Sequence, residues 1–407
     1  MAPKNLLPVS EALAKILAAA SPIDETETLP LNAAFGRTLA RDLVSTRTQP
    51  PFDVSAMDGY ALRAADVATP EKRVLLSGES AAGRGFAGEV KPGECVRIFT
   101  GAPIPAGADA VVMQELCQHA ADSVLINHLP RVGEHIRRAG SDIAAGSEIL
   151  SVGLRLRPQD TAQAASVGIA ELPVFRRLRV AVLFTGDELR MPGEALPPGA
   201  IYNANRFLLC PLLERLGCVV RDLGQVADDL AATRRALREA AHDNDLVLSS
   251  GGVSVGEEDH VKAAVELEGR LEMWKIAIKP GKPLAFGHLT SPGREVPLIG
   301  LPGNPVSCLV TFLMLVRPLL LKMQGVREVS PPAYLLRADF DWLRPDARCE
   351  FLRARSNGDG GVDLFPNQAS GVLSSAVWAD GLVDNPPQQV IHRGDRVRFL
   401  PFSALLN

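Results

Sequence analysis

Between residues 178 and 322 the apolar positions switch between two periods in a regular order. Residues 178–184 (LRVAVLF) form an almost unbroken apolar run, the mark of a strand buried on both faces. The spacing predicts a helix over 205–216 and a second strand over 218–226. A helix over 229–242 follows, with Leu230, Ala236, Leu237 and Ala240 on its apolar face, then a strand from Asp245 and further α/β units. Strands separated by helices of this length need right-handed crossovers, so the pattern predicts a doubly wound, mostly parallel α/β sheet covered on both faces. Ligands of such sheets sit beyond the carboxyl ends of the strands. Those ends fall at 185–188 (TGDE), at Asp228 and Asp229, at the Ser250-Gly251-Gly252 loop and at 301–304 (LPGN), so each carries polar or glycine chemistry.

The flanks have a different texture. Before residue 178, short apolar runs at 74–76, 95–99 and 110–113 alternate with Gly and Pro clusters, which predicts short strands and turns, with one helix near 158–167. After Gly325 the segments 334–340, 349–354 and 396–400 alternate like strands of a small β domain. The fold class expected is therefore multidomain, α/β plus β-rich. Residues 10–20 have the small residues of a signal peptide, but Glu11 and Lys15 interrupt any apolar stretch, and an amphipathic helix capped by Ser10 fits better. Residues 306–321 are strongly apolar, yet Arg317-Pro318 cuts them short of the ~20 residues a membrane span needs, so a buried helix is expected.

Composition narrows the function. The 407 residues predict two to four compact units, since single cores rarely grow past roughly 250–300 residues. With 43 basic against 47 acidic residues there is no basic surplus for nucleic acid, and Arg137-Arg138 and Arg176-Arg177 are isolated pairs. The six cysteines contain no Cys-x-x-Cys pair, which excludes a zinc knuckle or redox motif and fits reduced thiols in the cytoplasm.

The segment 245–259 (DLVLSSGGVSVGEED) carries the most chemistry: an apolar run discharges into a glycine loop that ends in three carboxylates. Glycines let backbone N–H groups close on an anion, and clustered carboxylates hold Mg²⁺. A strand followed by glycines is also ordinary α/β punctuation. Nearby, 279–283 (KPGKP) and 300–305 (GLPGNP) add lysines and a second glycine loop opening a helix. Neither loop continues as Gly-Lys-Ser/Thr, so P-loop ATP hydrolysis is not indicated. Asp259, Glu188 and Asp228 form a candidate acidic cluster, and beside a phosphate site such a cluster requires a divalent cation. Lys275, Lys279 and Lys282 would supply opposing charge. Each residue also has a plain reading. Asp58 sits in an Asp-Gly turn, Thr100 and Asp142 suit turn caps, Asp228 suits the N-cap of the helix at 229, and Asn304-Pro305 is an N-cap followed by Pro at the first helical position.

Taken in order, 51–60 (PFDVSAMDGY), 100–103 (TGAP), 107–112 (GADAVV), 137–143 (RRAGSDI), 185–189 (TGDEL), 250–256 (SGGVSVG), 279–283 and 300–305 resemble the molybdopterin molybdenumtransferase family, the molybdenum insertases, which includes the C-terminal domain of gephyrin. The tail 367–375 (NQASGVLSS) departs from the family pattern at Ala369, and Asn203 stands where an Asp is frequent. The resemblance implies a discontinuous first domain (8–46 and 141–177), an inserted β-rich domain (47–140), a molybdopterin-binding α/β domain (178–326) and a C-terminal β domain (327–407). It implies a homodimer whose cleft joins the α/β domain of one subunit to the inserted domain of the other. The implied reaction turns adenylylated molybdopterin and molybdate into molybdenum cofactor and AMP with Mg²⁺. Asp58, Glu188, Asp228 and Asp259 would be catalytic, with the last three also holding metal. Thr100, Asp142, Lys275, Lys279 and Ser370 would bind substrate, as would Ser250, Gly251, Gly252 and Ser254 of one loop and Pro302, Asn304 and Pro305 of the other. The expected partners are these substrates, the adenylyltransferase that precedes the step and the recipient molybdoenzymes, with neither nucleic acid nor membrane. Two alternatives stay open: a molybdopterin adenylyltransferase, and a non-enzymatic pterin carrier or scaffold.

Overall fold

The computed structural model describes residues 6–251 and 260–406. At its centre is a six-stranded sheet in the order Val219–Val226, Arg179–Thr185, Leu246–Ser250, Arg294–Leu301, Pro283–Ser291, Gly269–Lys275. The first four strands run parallel, and Pro283–Ser291 alone runs against the rest, pairing antiparallel with Arg294–Leu301 on one side and Gly269–Lys275 on the other. Strand Arg179–Thr185 is buried from Val180 onward, as its apolar run required. Helix Ala204–Arg215 buries Leu209, Leu212 and Leu213 against one face, together with the long apolar helix from Pro305 to Met323. Helices Leu230–His242 and His260–Glu268 cover the other with Leu237, Ala240, Val261 and Val265. The chain thus leaves the first strand over one face and returns over the opposite face to its other side. That makes the gap between Arg179–Thr185 and Leu246–Ser250 the topological switch point, where open α/β sheets hold their ligands.

Three smaller units surround this sheet. Strands Thr26–Pro30 and Glu171–Phe175 pair antiparallel, and with helix Pro158–Ser166 they enclose a core of Leu39, Leu156, Ala164 and Leu172. A mixed six-stranded sheet built from residues 59–126 holds Leu62, Val74, Cys95, Val112 and Ile126 in its core. At the C-terminus, strand Cys349–Ser356 pairs with both Gly361–Leu364 and Gly381–Asn385, closing a small barrel around Leu352, Val383 and Phe399. Strand Ile278–Lys279 of the α/β unit adds to that barrel's edge, beside Cys349 and Glu350.

One local expectation is corrected. The first helix is Val9–Ala18, with Pro8 at its cap and Ser10 inside the first turn, because Pro8 provides the extended entry without a side-chain bond. Its Ala12 and Ile16, fully buried, join the core of the α/β sheet rather than that of the layer at 26–44; burying Ile16 alone contributes ~1.5–3 kcal/mol. The apolar helix is buried as expected. Pro318 lacks the N–H that a regular turn needs, and the preceding turn Phe312–Val316 widens to π type.

Candidate active site

The four parallel strands end at Thr185, Val226, Ser250 and Leu301, and a cavity of about 580 Å³ opens over the switch point. Thr185, Glu188, Ser250 and Gly251 line it, as do Asn203 and Asn205 from the start of helix Ala204–Arg215 and Asn304 and Pro305 from the start of the buried helix. Gly371, from the C-terminal unit, closes one side, and the neighbouring Ser370 carbonyl accepts from the Val306 N–H at 3.1 Å.

The strand ends are tied to one another by short polar links. Gly251 has φ +91°, and a Cβ there would stand 2.4 Å from the Thr185 carbonyl oxygen, so only glycine lets the two ends approach this closely. Its N–H donates to the Leu301 carbonyl at 3.2 Å. Asn205 Nδ2 donates to Ser250 Oγ and to the Gly303 carbonyl, both at 2.8 Å, joining three loops through one buried amide. On the other side Gln225 Nε2 donates to the Gly186 carbonyl at 2.9 Å, and the Asp228 N–H to Asp187 Oδ1 at 3.3 Å.

Capping assigns the remaining side chains. Asp229, not Asp228, caps helix Leu230–His242, its Oδ1 accepting from the Ala232 N–H at 2.8 Å; the cap falls one residue later than expected because Asp228 is still held to Asp187 by its own N–H. Asn304 occupies the cap position before Pro305, but its side chain makes no capping bond, so the capping reading does not account for its amide. Asn203 caps its helix by accepting from the Arg206 N–H at 3.1 Å.

Of the expected site residues, Glu188, Ser250, Gly251, Asn304 and Pro305 meet in this cavity. Gly252, Ser254 and Asp259 lie outside the described residues. Asp58 and Thr100 come together elsewhere, on the β-rich unit: the Thr100 N–H and hydroxyl donate to Asp58 Oδ1 at 2.7 and 2.8 Å. These two bonds, the backbone one first, hold the Asp58 carboxyl below its ordinary range, with Arg97 adding a smaller effect. Neither residue lines the cavity, nor do Asp142, Lys275, Pro302 or Asp228. Lys279 is engaged by the C-terminal barrel, its Nζ 3.0 Å from Glu350 Oε1 and 3.4 Å from Asp346 Oδ2.

Sequence reasoning left Thr185, Asn203 and Asn205 without a role. Each is buried and each has one polar atom without a partner: Thr185 Oγ1, Asn203 Nδ2 and Asn205 Oδ1. A signal was present in the segment 201–206 (IYNANR), which places two asparagines at a helix start where one cap suffices. As to metal, the carboxylates of Glu188 and Asp228 stand on the ends of adjoining strands and are hard oxygen donors of the kind Mg²⁺ takes. Among the described residues no three such side chains converge.

Comparison with known proteins covers almost the whole chain. Residues 7–168 match the family described as MoeA N-terminal region (domain I and II), 181–322 a probable molybdopterin binding domain, and 336–402 the MoeA C-terminal region (domain IV). The molybdopterin molybdenumtransferase of Haemophilus influenzae is 40% identical over 98% of this chain and 100% of its own length. Molybdopterin molybdenumtransferase 2 of Mycobacterium tuberculosis is 37% identical over 93% and 94%. The crystal structure of the molybdopterin biosynthesis moeA protein from Pyrococcus horikoshii OT3 superposes with a TM-score of 0.85 at 30% identity, covering 98% of this chain and 100% of that one.

Proposed function

Because the chain belongs to the MoeA family of molybdopterin molybdenumtransferases, we propose that it inserts molybdenum into molybdopterin, taking adenylylated molybdopterin and molybdate and releasing molybdenum cofactor and AMP. The observation that carries this reading is the cavity at the switch point, whose wall brings a glycine loop, a helix start and unpartnered buried polar groups to one place. A chain built this way has ligand groups prepared at the position where α/β sheets bind.

The parts divide as follows. The Ser250-Gly251 turn shapes the cavity floor, and the helix opened by Asn304-Pro305 turns its positive end toward phosphate or molybdate, a tetrahedral dianion of similar demand. Glu188 at the lip orients the attacking oxygen or water. Mg²⁺, when bound by Glu188 and Asp228 with Asp259, supplies positive charge against the phosphate. Asp58, kept ionised by Thr100, and Asp142 complete the cleft from the partner subunit of a homodimer working in the cytoplasm. Two features support that arrangement: Asp58 and Thr100 do not line the cavity of their own chain, and Phe52 and Met57 beside them are exposed apolar side chains. The six cysteines, all unpaired, suit a reducing compartment.

The test mixes the purified chain with adenylylated molybdopterin, Mg²⁺ and low molybdate, and follows AMP together with reconstitution of an apo molybdoenzyme. Joint appearance of both products, dependent on molybdate, is expected, and Asp259→Asn should abolish it while the protein stays folded. Pterin binding without either product would leave only a carrier. Pyrophosphate from ATP and unmodified pterin would identify an adenylyltransferase instead.

A further inference from the structure

In the β-rich unit, strand Gly59–Leu62 lies between Glu94–Ile98 and Ala110–Met113, with Gly59 opposite Ile98 and Met113 and Tyr60 opposite Arg97. A Cβ on Gly59 would stand 1.9 Å from the Val112 carbonyl oxygen, so only glycine lets the strands meet there, and Asp58 is the first residue beyond them. Thr100 lies two residues past the end of Glu94–Ile98. Both residues thus stand outside the ladder, on separate segments. The two Thr100 bonds set the Asp58 carboxylate, and the backbone beneath it needs a holder of its own.

Arg97 is placed to be that holder. Its Nη1 donates to the Gly59 carbonyl at 3.3 Å and its Nη2 to Gln114 Oε1 at 2.5 Å. The Gln114 N–H donates in turn to the Asp58 carbonyl at 3.1 Å, so two successive carbonyls are held, one directly and one through Gln114. A guanidinium has no acceptor, so Gln114 must turn its oxygen toward Arg97, and its Nε2 is 3.3 Å from Glu115 Oε1. The guanidinium also lies over the rings of Tyr60 and Phe99, with Cζ 5.0 Å from each centroid. Tyr60 follows Asp58 by two residues and Phe99 directly precedes Thr100, so one planar cation touches both segments. Glu79, opposite Arg97 on the next strand, is 3.1 Å from Arg84 instead. The Arg97 charge adds to the Thr100 bonds in holding Asp58 ionised.

We propose that Arg97 is a positioning residue that fixes the Asp58 carboxylate by clamping the segments of Tyr60 and Phe99 together and by holding the Asp58 and Gly59 carbonyls. Lysine does not replace it, because a point charge lacks the fork that reaches two acceptors and the flat face that stacks on two rings. The consequence for catalysis rests on the insertase reading, in which Asp58 acts in the cleft; the consequence for Asp58 itself does not. Arg97 lines a cavity of about 540 Å³ with Tyr60, Glu79 and His119, which gives a small cation access to its place.

The experiment compares Arg97→Lys, Arg97→Ala and Gln114→Met in the full chain, reading the Asp58 carboxyl by NMR titration alongside AMP release. Arg97→Lys keeps the charge and loses the fork, so kcat should fall about tenfold or more with KM near that of the parent. Arg97→Ala should move the Asp58 titration upward, toward an ordinary aspartate, and millimolar guanidinium, with sodium chloride as control, should return both the titration and part of the activity. A merely structural arginine would lower the melting temperature and leave the Asp58 titration where it is in the parent. A folded Arg97→Ala whose Asp58 titrates as in the parent, or in which guanidinium moves nothing, would overturn the proposal. Should Arg97→Ala not fold, Gln114→Met decides, since Gln114 is exposed and its loss frees one end of the clamp: a smaller upward movement of Asp58 is expected, and none would overturn the proposal equally. If Asp58 moves while AMP release is unchanged, its part in the insertase reading fails and the positioning role stands. If the parent releases no AMP, that reading fails as a whole and the titration still decides for Arg97.

Discussion

Thr100 donates twice to a single oxygen of Asp58, from a loop 42 residues away. A carboxylate that receives a backbone and a hydroxyl donor is stabilised in its charged form, so its pKa falls. The native value is thus depressed below the unfolded one, near ~4. The contact therefore contributes to the folded state above that unfolded value and is lost as the pH falls through the native value. Replacing Thr100 by Val leaves the backbone donor and removes the hydroxyl. The Asp58 carboxyl, followed by NMR titration, should move part of the way back toward an ordinary aspartate; no movement would mean that the hydroxyl bond carries no weight. Both residues stood out in the sequence, each as a possible turn residue, but no spacing rule pairs positions brought together by adjacent strands. The asparagines of 201–206 were hidden for a related reason. A capping position explains the side-chain oxygen of an Asn but not its NH2 group, and whether that group finds a partner is visible only in coordinates. Asp228 and Asp229 show the same limit at one residue's resolution, since either could have capped and only the backbone path decides.

Among the elements, the strands and helices of the α/β sheet were legible because a buried parallel strand and an amphipathic helix each leave a strong period, and their observed ends fall close to those expected. The two-residue strand Ile278–Lys279 was not, because pairing that short has no period. Its consequence is chemical. Lys279, expected as a substrate-binding charge, reaches Glu350, which is wholly buried in the C-terminal barrel and also accepts from Trp342 Nε1 at 2.8 Å and from the Asp346 N–H at 3.1 Å. Removing the cation leaves a buried carboxylate with hydrogen bonds and only the weaker field of Arg348, which is paired with Asp346, as counter-charge. Lys279→Met should therefore cost about 2–4 kcal/mol, less than a fully enclosed pair because Lys279 is partly exposed. Lys275→Met, at an exposed strand end, should stay within roughly 0.5 kcal/mol. Urea unfolding of the two variants checks this. Equal stabilities would show that the Lys279 contact does not join the two units, and would return Lys279 to a role in substrate binding alone.

At the scale of the whole molecule, the sequence pattern separated an α/β region from β-rich flanks, but it could not say that the first helix belongs to the core of the central sheet, since an amphipathic helix does not specify which apolar face it covers. Nor could it say where Asp58 stands relative to Glu188. In the chain as folded, one lines the switch-point cavity and the other does not. The proposed cleft, completed by a second copy, would account for both, and it makes a prediction that no single-chain site shares. Asp58→Ala and Glu188→Ala, each inactive alone, are mixed after unfolding and refolded together. Random pairing makes about half the dimers mixed, and in each of these one cleft receives both mutations while the other receives neither. About a quarter of the parent's AMP-releasing activity should therefore return. If both residues served one cavity within a chain, every site would carry a lesion and no mixture would recover activity, so the recovered fraction, read at increasing ratios of one variant to the other, decides between a shared cleft and a self-contained one.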